Sequence, residues 1–290
     1  MLLIIYVGKG VIVVKKGSYT VLIELVVHFV SMADNSSTVF RILAFFAHPD
    51  DETVFVGGTL AFLAGRGAEI HYLCATRGEG GEMGNPPICT REELGKVREG
   101  ELRCAIKALG GKSVQFLDYQ DPLVGPDNEL YPFSEKLDQV AGEISQYISM
   151  IKPQIILTHG PGGEYGHPAH IQAHQALISA LSRLRHLDVS VYAPSWLSRE
   201  TGKFSPEPDI QVDISPWKGQ KLEAIQCHRS QHGLFTRSGS ARAGRPVAIP
   251  EIVRTREAFC RILPDDDQDE LDQLGKFLQE IAVQDGDQLS

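Results

Sequence analysis

Two short stretches of this sequence carry more ionisable side chains than a folded chain keeps without a use for them. The first is AHPDDE, with His48, Pro49, Asp50, Asp51 and Glu52 directly after the apolar run FRILAFF. Four ionisable residues at the mouth of a buried strand are costly unless they bind something. Imidazole and carboxylate are zinc ligands, and a catalytic zinc site takes three protein ligands and keeps a fourth position open. His48 and Asp51, three residues apart, could hold one ion together, leaving Asp50 beside it to act as a base. A helix N-terminus also attracts acidic residues, but that explains one carboxylate well and three with a histidine poorly. The second stretch is THGPGGEYGHPAHIQAH, with His159, His167, His170 and His174. His170 can supply the third metal ligand, and His167 can face the same cavity as an acid or an oxyanion partner. His170 and His174 have the four-residue spacing of HExxH zincins, but the glutamate is absent and that motif fails. His174 reads as structural. For His159 both readings stand.

These residues need elements to hold them. FRILAFFA (40–47) is a nearly continuous apolar run, as in a strand covered on both faces. Further strands are expected at 69–76, 113–119, 154–160 and 189–196, with a sixth at 209–215. Helical spacing marks 53–66, a stretch opening at Thr90-Arg91-Glu92-Glu93 and running towards Gly110, then 134–151, 168–185, 217–229 and 266–283. Thr90 followed by Glu93 has the form of a capping box. Strands alternating with helices predict βα units on a mostly parallel sheet, a Rossmann-like three-layer α/β sandwich. Ligands bind such sheets outside the carboxyl ends of the strands, where both histidine-rich stretches fall. The Gly/Pro-rich segment 77–90 also follows a strand and can wall the pocket or close over it. Its Glu79 could bind sugar hydroxyls, whereas Glu82 reads as a solvated loop charge. Residues 233–250 read as a mobile surface loop. Arg237, Arg242 and Arg245 within it could meet an anionic group.

Composition narrows the classes. Lys and Arg number 28 against 37 Asp and Glu, a formal charge of −9. A net acidic chain is a poor general binder of nucleic acid. No stretch reaches the ~18 apolar residues that span a bilayer, so stable membrane insertion is not expected. The five cysteines are odd in number and form no CxxC, which argues against a disulfide framework and for a reducing cytoplasm. Residues 1–31 differ from the rest. The runs IIYVGKGVIVV and YTVLIELVVHFV flank Lys15-Lys16-Gly17 and could form a hairpin or an edge addition. They are expected to be an N-terminal extension of uncertain status to a single domain over residues 32–290.

AHPDDE followed by GGEYGHPAH resembles the LmbE-like, or PIG-L, family of zinc-dependent N-acetylglucosaminyl deacetylases. TRGE at 76–79, the LDYQD stretch ending at Asp121, and AIQCHRSQ at 224–231 agree, so the resemblance covers about Phe40 to Phe259. It implies one Zn2+ held by His48, Asp51 and His170, with Asp50 as general base. It implies that His167 stabilises the tetrahedral intermediate and assists the leaving amine, and that Tyr165 donates to the oxyanion. Arg77 matches a residue lining the sugar site and Asp121 one near it. The implied partner is a small amino-sugar substrate, and relatives of this kind often form homo-oligomers. Many members carry an acidic residue between the two histidines where this chain has Ala169, which leaves the protonation of His167 to be set by Asp121 or another carboxylate.

Other readings predict different features. An amidase acting on a larger acyl or thiol conjugate would use the same residues. A nucleotide-dependent oxidoreductase needs a Gly-rich fingerprint after the first strand, and AHPDDE stands there instead. A non-catalytic sugar-binding relative would not need His48, Asp50, Asp51, His167 and His170 all intact.

Overall fold

The computed structural model describes residues 2–7, 10–15, 39–184, 187–197, 204–264 and 273–279. The chain divides into two compact units, Met1–Val39 and Phe40–Ser290. In the first, β1 (Leu2–Val7) and β2 (Gly10–Lys15) pair antiparallel, from Leu2 opposite Lys15 to Val7 opposite Gly10. This hairpin forms within the first apolar run. The second run, 19–30, lies outside the described residues.

The second unit is built on β3 (Arg41–Phe46), α1 (Asp51–Gly65), β4 (Glu69–Thr76), α2 (Leu94–Ala108), β5 (Ser113–Tyr119), α3 (Leu137–Ile151) and β6 (Ile155–Thr158). The short α4 (Gly163–Gly166), α5 (Pro168–Ser182), β7 (Ser190–Pro194), β8 (Trp196–Leu197), β9 (Phe204–Ser205) and β10 (Ile210–Asp213) follow. Then come α6 (Lys218–Cys227), α7 (His232–Ala243), α8 (Ile249–Ile252), β11 (Arg256–Leu263) and α9 (Gln273–Gln279). Seven strands make one sheet in the order β10-β11-β7-β6-β3-β4-β5. The five from β7 to β5 are parallel, while β11 runs antiparallel to both β7 and β10.

The apolar run of β3 is continuous because both its faces are covered. Ile42, Ala44 and Phe46 join one core with residues of α1, α2 and α9, while Leu43, Phe45 and Ala47 join the other with residues of α3 and α5. The result is the expected α/β/α sandwich. The chain passes from β3 to β4 and β5 on one side, then crosses to β6 and β7 on the other. This reversal between β3 and β6 is where a doubly wound sheet opens a crevice at its carboxyl edge.

Four points depart from what the sequence suggests. Residues 233–250 are largely helical, as α7 and α8, and Gly239 is buried against Val247 and Ile252. The seventh strand, β11, carries Arg256, Glu257 and Arg261, and these charges hide its β pattern. Yet Glu257 is buried and accepts from Lys221 Nζ at 2.6 Å and from the backbone N–H groups of Gly58 and Thr59, both at 2.8 Å. Cys104 of α2 and Cys227 of α6 form a disulfide. The odd cysteine count gave no sign of it, because helix packing brings together residues separated by 123 positions. At Thr90 only half of the expected box forms. Its N–H donates to Glu93, and α2 begins at Leu94.

α1 can lie close to the segment after β10 only because Gly58 has no side chain. A Cβ there would stand 2.6 Å from Ile214 Cγ1. Gly58→Ala is therefore expected to destabilise by about 1–3 kcal/mol through overpacking, although alanine suits a helix better by about 1 kcal/mol. A thermal melt checks this, and an unchanged midpoint would contradict the packing argument.

Candidate metal and catalytic site

The site is assembled from the ends of β3 and β6, one on each side of the crevice. After β3 the chain turns into α1 through Pro49 and Asp50. Asp50 adopts φ 112°, ψ −26°, a left-handed conformation that a non-glycine residue takes only at a cost of about 1–3 kcal/mol. The turn is held by its own acids. His48 N–H donates to Asp51 Oδ2 at 2.8 Å and Asp50 N–H to Glu52 Oε2 at 3.2 Å. The three carboxylates thus differ in use: Glu52 holds the turn, Asp51 holds it and also faces the histidines, and Asp50 faces Arg98.

Asp51 is the hub. Its Oδ2 lies 3.3 Å from His48 Nδ1 and 3.3 Å from His159 Nε2, and its Oδ1 lies 3.3 Å from His170 Nε2. All four residues are buried. Among the described residues two triads bring one ligand atom each within 4.8 Å: His48–His167–His170 and Asp51–His159–His170. His170 belongs to both, and its Nε2 is buried with no hydrogen-bond partner. An unsatisfied imidazole nitrogen beside a carboxylate and a second imidazole is the donor set that suits a divalent ion, so the residues fit a metal. His48, Asp51 and His170, expected as ligands, are brought together. Asp121, expected near the sugar, faces His48 Nε2 at 3.3 Å and accepts from Gly80 N–H. It can thereby hold the His48 ring with Nδ1 turned to Asp51.

Asp50 has a buried cation behind it. Arg98 on α2 donates to Asp50 Oδ2 at 3.2 Å, to Pro49 O at 2.5 Å and to Gly78 O at 2.9 Å. Gly78, at φ +68°, leaves room for that guanidinium, which a Cβ there would meet at 2.0 Å. Burial pushes the Asp50 carboxyl up to about 6, with Arg98 opposing the rise and Asp51 adding to it. A group tuned this way can both accept and return a proton near neutral pH.

His167 caps α5. Its Nδ1 accepts the Ala169 N–H at 3.2 Å, which places the proton of the neutral ring on Nε2. Burial pushes its pKa down to about 3, and the neighbouring His48 and His170 push the same way. Asp121 works weakly against this and does not substitute for a carboxylate at position 169. His167 stacks on His170 with ring centroids 4.5 Å apart, and Tyr165 packs edge-on to both from an exposed position.

Two expected sugar contacts are otherwise engaged. Arg77 donates to Glu99 at 2.7 Å and Asp118 at 2.5 Å and lies over the Phe116 ring. Glu79 accepts the Asp121 N–H at 3.0 Å, joining the loop after β4 to the loop after β5. Glu82 pairs with Arg237, and Arg245 with Glu251. Arg242 and Arg254 lie over Trp196, which packs on Phe55 and Tyr165. His174 is structural, its Nδ1 lying 2.9 Å from His159 O. His228 is buried against Thr53 and Glu52, and Ser230 donates twice to Glu101. Sequence reasoning missed Arg98, Glu101 and Glu164. For Glu164 a signal existed, namely an acidic residue in a Gly-rich turn three positions before His167. For Arg98 and Glu101, on an ordinary amphipathic helix, there was none.

The PIG-L family, described as GlcNAc-PI de-N-acetylase, matches residues 43–181. The probable N-acetyl-alpha-D-glucosaminyl L-malate deacetylase 2 of Bacillus anthracis is 31% identical over 193 residues, covering 66% of this chain and 81% of that protein. Among solved structures, the N,N'-diacetylchitobiose deacetylase of Pyrococcus horikoshii superposes with a TM-score of 0.54 at 21% identity, covering 86% of this chain and 94% of its own. GalB, the 4-carboxy-2-hydroxymuconate hydratase of Pseudomonas putida, gives 0.56 at 21% identity, with coverages of 80% and 100%. At such identities the likeness is one of fold, and a fold hosts more than one chemistry.

Proposed function

This chain belongs to the PIG-L family of N-acetylglucosaminyl deacetylases, and on that premise we propose a zinc-dependent mechanism in which Asp50 moves the proton. The reaction is hydrolysis of an N-acetylglucosamine-type amide to acetate and a free amine. One observation carries the site assignment: His48 and His170 converge on Asp51 while Asp50, beside them, keeps its carboxylate for other work. His48, Asp51 and His170 would hold the ion. Zinc bound there would make a water nucleophilic at neutral pH and polarise the acetamide carbonyl.

The chain's own groups do the rest. Asp50 takes the proton from the attacking water and passes it to the amide nitrogen, since an amine leaves only once protonated. Arg98 keeps the carboxylate aimed during both transfers. His167 is neutral with its proton on Nε2, so it acts as a hydrogen-bond donor to the developing oxyanion and not as the proton source. One such donor is typically worth about 3–4 kcal/mol. Tyr165, at the rim, can add a second. Asp121 holds His48 and stands where a sugar hydroxyl would arrive. Because Arg77 and Glu79 are bound to protein partners, their part in substrate binding is to shape the loop after β4.

The relatives' names suggest a small glycoside as substrate, with malate or a second sugar as its other half. Among the described residues no helix is long and apolar enough to cross a membrane. The cytoplasm, proposed as the setting, requires the Cys104–Cys227 disulfide of the structure to be open there. The redox state of Cys104 and Cys227 in protein isolated under thiol-blocking conditions tests this, because a reducing compartment would hold them as thiols. The activity is tested by acetate release from N-acetylglucosaminyl malate and N,N'-diacetylchitobiose. The expected result is release that stops on chelation and returns with zinc. Substrate binding or hydration of a double bond without acetate release would overturn the proposal.

A further inference from the structure

The turn between β6 and α5 places one carboxylate under two histidines. Glu164 Oε2 lies 2.8 Å from Nδ1 of His159 and 2.8 Å from Nδ1 of His170, while Oε1 accepts the Gly160 N–H at 2.9 Å. The Glu164 side chain is wholly enclosed. The two imidazoles stack with centroids 3.9 Å apart and planes 14° from parallel. Glu164 reaches this position with a left-handed backbone, φ 59°, a strained conformation that persists only where its surroundings enforce it.

An ionised carboxylate only accepts, so both Nδ1 atoms facing it must carry protons. A neutral imidazole protonated at Nδ1 has its lone pair on Nε2. In His159 that lone pair accepts the Ala47 N–H at 3.0 Å. In His170 it has no hydrogen-bond partner and points at Asp51. The same tautomer is therefore used in two ways. One Nε2 is spent on the backbone and the other is bare.

We propose that Glu164 is a positioning residue that sets both histidines in the Nδ1-protonated form, making His170 Nε2 the metal-binding atom and keeping His159 out of the coordination sphere. This rests on the reading of His170 as a ligand. It also chooses between the two triads: Asp51 and His170 bind the ion, and His159 is the brace that stacks on His170. Carboxylates placed behind metal-ligating histidines commonly govern affinity in this way.

The test uses the full chain, with zinc affinity measured by competition against a chromophoric chelator and imidazole tautomers read by 15N NMR on the metal-free protein. In the wild type, both His159 and His170 should be protonated at Nδ1 before zinc is added. In Glu164→Ala, His170 should populate both tautomers and zinc affinity should fall about 10–100-fold. Glu164→Gln, which retains an acceptor oxygen but no charge, should fall by less, and it carries the test if the alanine variant does not fold. A merely structural role would lower the melting temperature and leave tautomer and affinity unmoved, and that outcome overturns the proposal. His170→Ala serves as the control. If it binds zinc as the wild type does, the metal site itself is misassigned. If it loses zinc while both Glu164 variants keep wild-type affinity, only the role of Glu164 fails.

Discussion

Asp50→Asn is expected to retain bound metal and lose turnover by about 100–10,000-fold, the usual contribution of a positioned proton-transfer group. Asparagine is the informative replacement. It has nearly the shape of aspartate, tolerates the left-handed backbone at this position, and offers Arg98 an acceptor oxygen, so the turn into α1 should survive. What it cannot do is accept the water's proton. The loss should fall on kcat and on kcat/KM alike, because the missing interaction belongs to the transition state. The wild type supplies the matching pH signature. Burial lifts the Asp50 carboxyl to about 6, and the base form is the ionised one. Activity should therefore hold above that value and decline as pH falls through it. A bound cation stabilises the ionised form, so zinc moves this acid limb to a lower pH, never higher. A stopped assay from pH 4.5 to 8 on wild type and variant measures both effects. If Asp50→Asn retained a tenth of wild-type turnover, proton transfer would have to be assigned elsewhere.

Asp51→Ala should have the second large effect, and for a different reason. Asp51 carries the charge that three buried histidines surround, and its Oδ2 also accepts the His48 N–H. Without it, the ion would lose its anionic ligand and a buried N–H would lose its acceptor, which alone costs about 1–3 kcal/mol. The variant should be isolated without metal and without turnover, and its melting temperature should no longer respond to zinc. In the wild type, zinc at 100 times its dissociation constant should add about 2.7 kcal/mol of stability by mass action. Elemental analysis together with thermal melts at graded zinc concentrations would show both. A variant that kept stoichiometric zinc would point to His48, His167 and His170 as the metal-binding triad.

The sequence alone determined whatever is encoded within a few adjacent residues. Apolar runs doubly covered on a sheet, as at residues 41–46, show themselves by continuity, and the helices over 51–65 and 168–182 by their period. The chemistry at the ends of β3 and β6 was legible because His48, Asp50 and Asp51 are crowded into one turn and His167 and His170 into another. Segregation of the histidines at strand ends also pointed to the crevice. Tertiary structure alone decided which partners stand behind these residues. Arg98 reaches Asp50 from 48 positions away, Asp121 reaches His48 from 73, and His228 reaches Thr53 from 175. On α2, Arg98 and Glu101 look in sequence like any charges on a helix. Only the packing of α2 beside the turn after β3 makes one a clamp and the other an anchor for Ser230. The same holds for β11, whose buried Glu257 breaks a strand pattern and becomes explicable only once Lys221 and the α1 backbone are seen to satisfy it. Local chain geometry is written in short windows, whereas a buried charge finds its compensating partner through the fold.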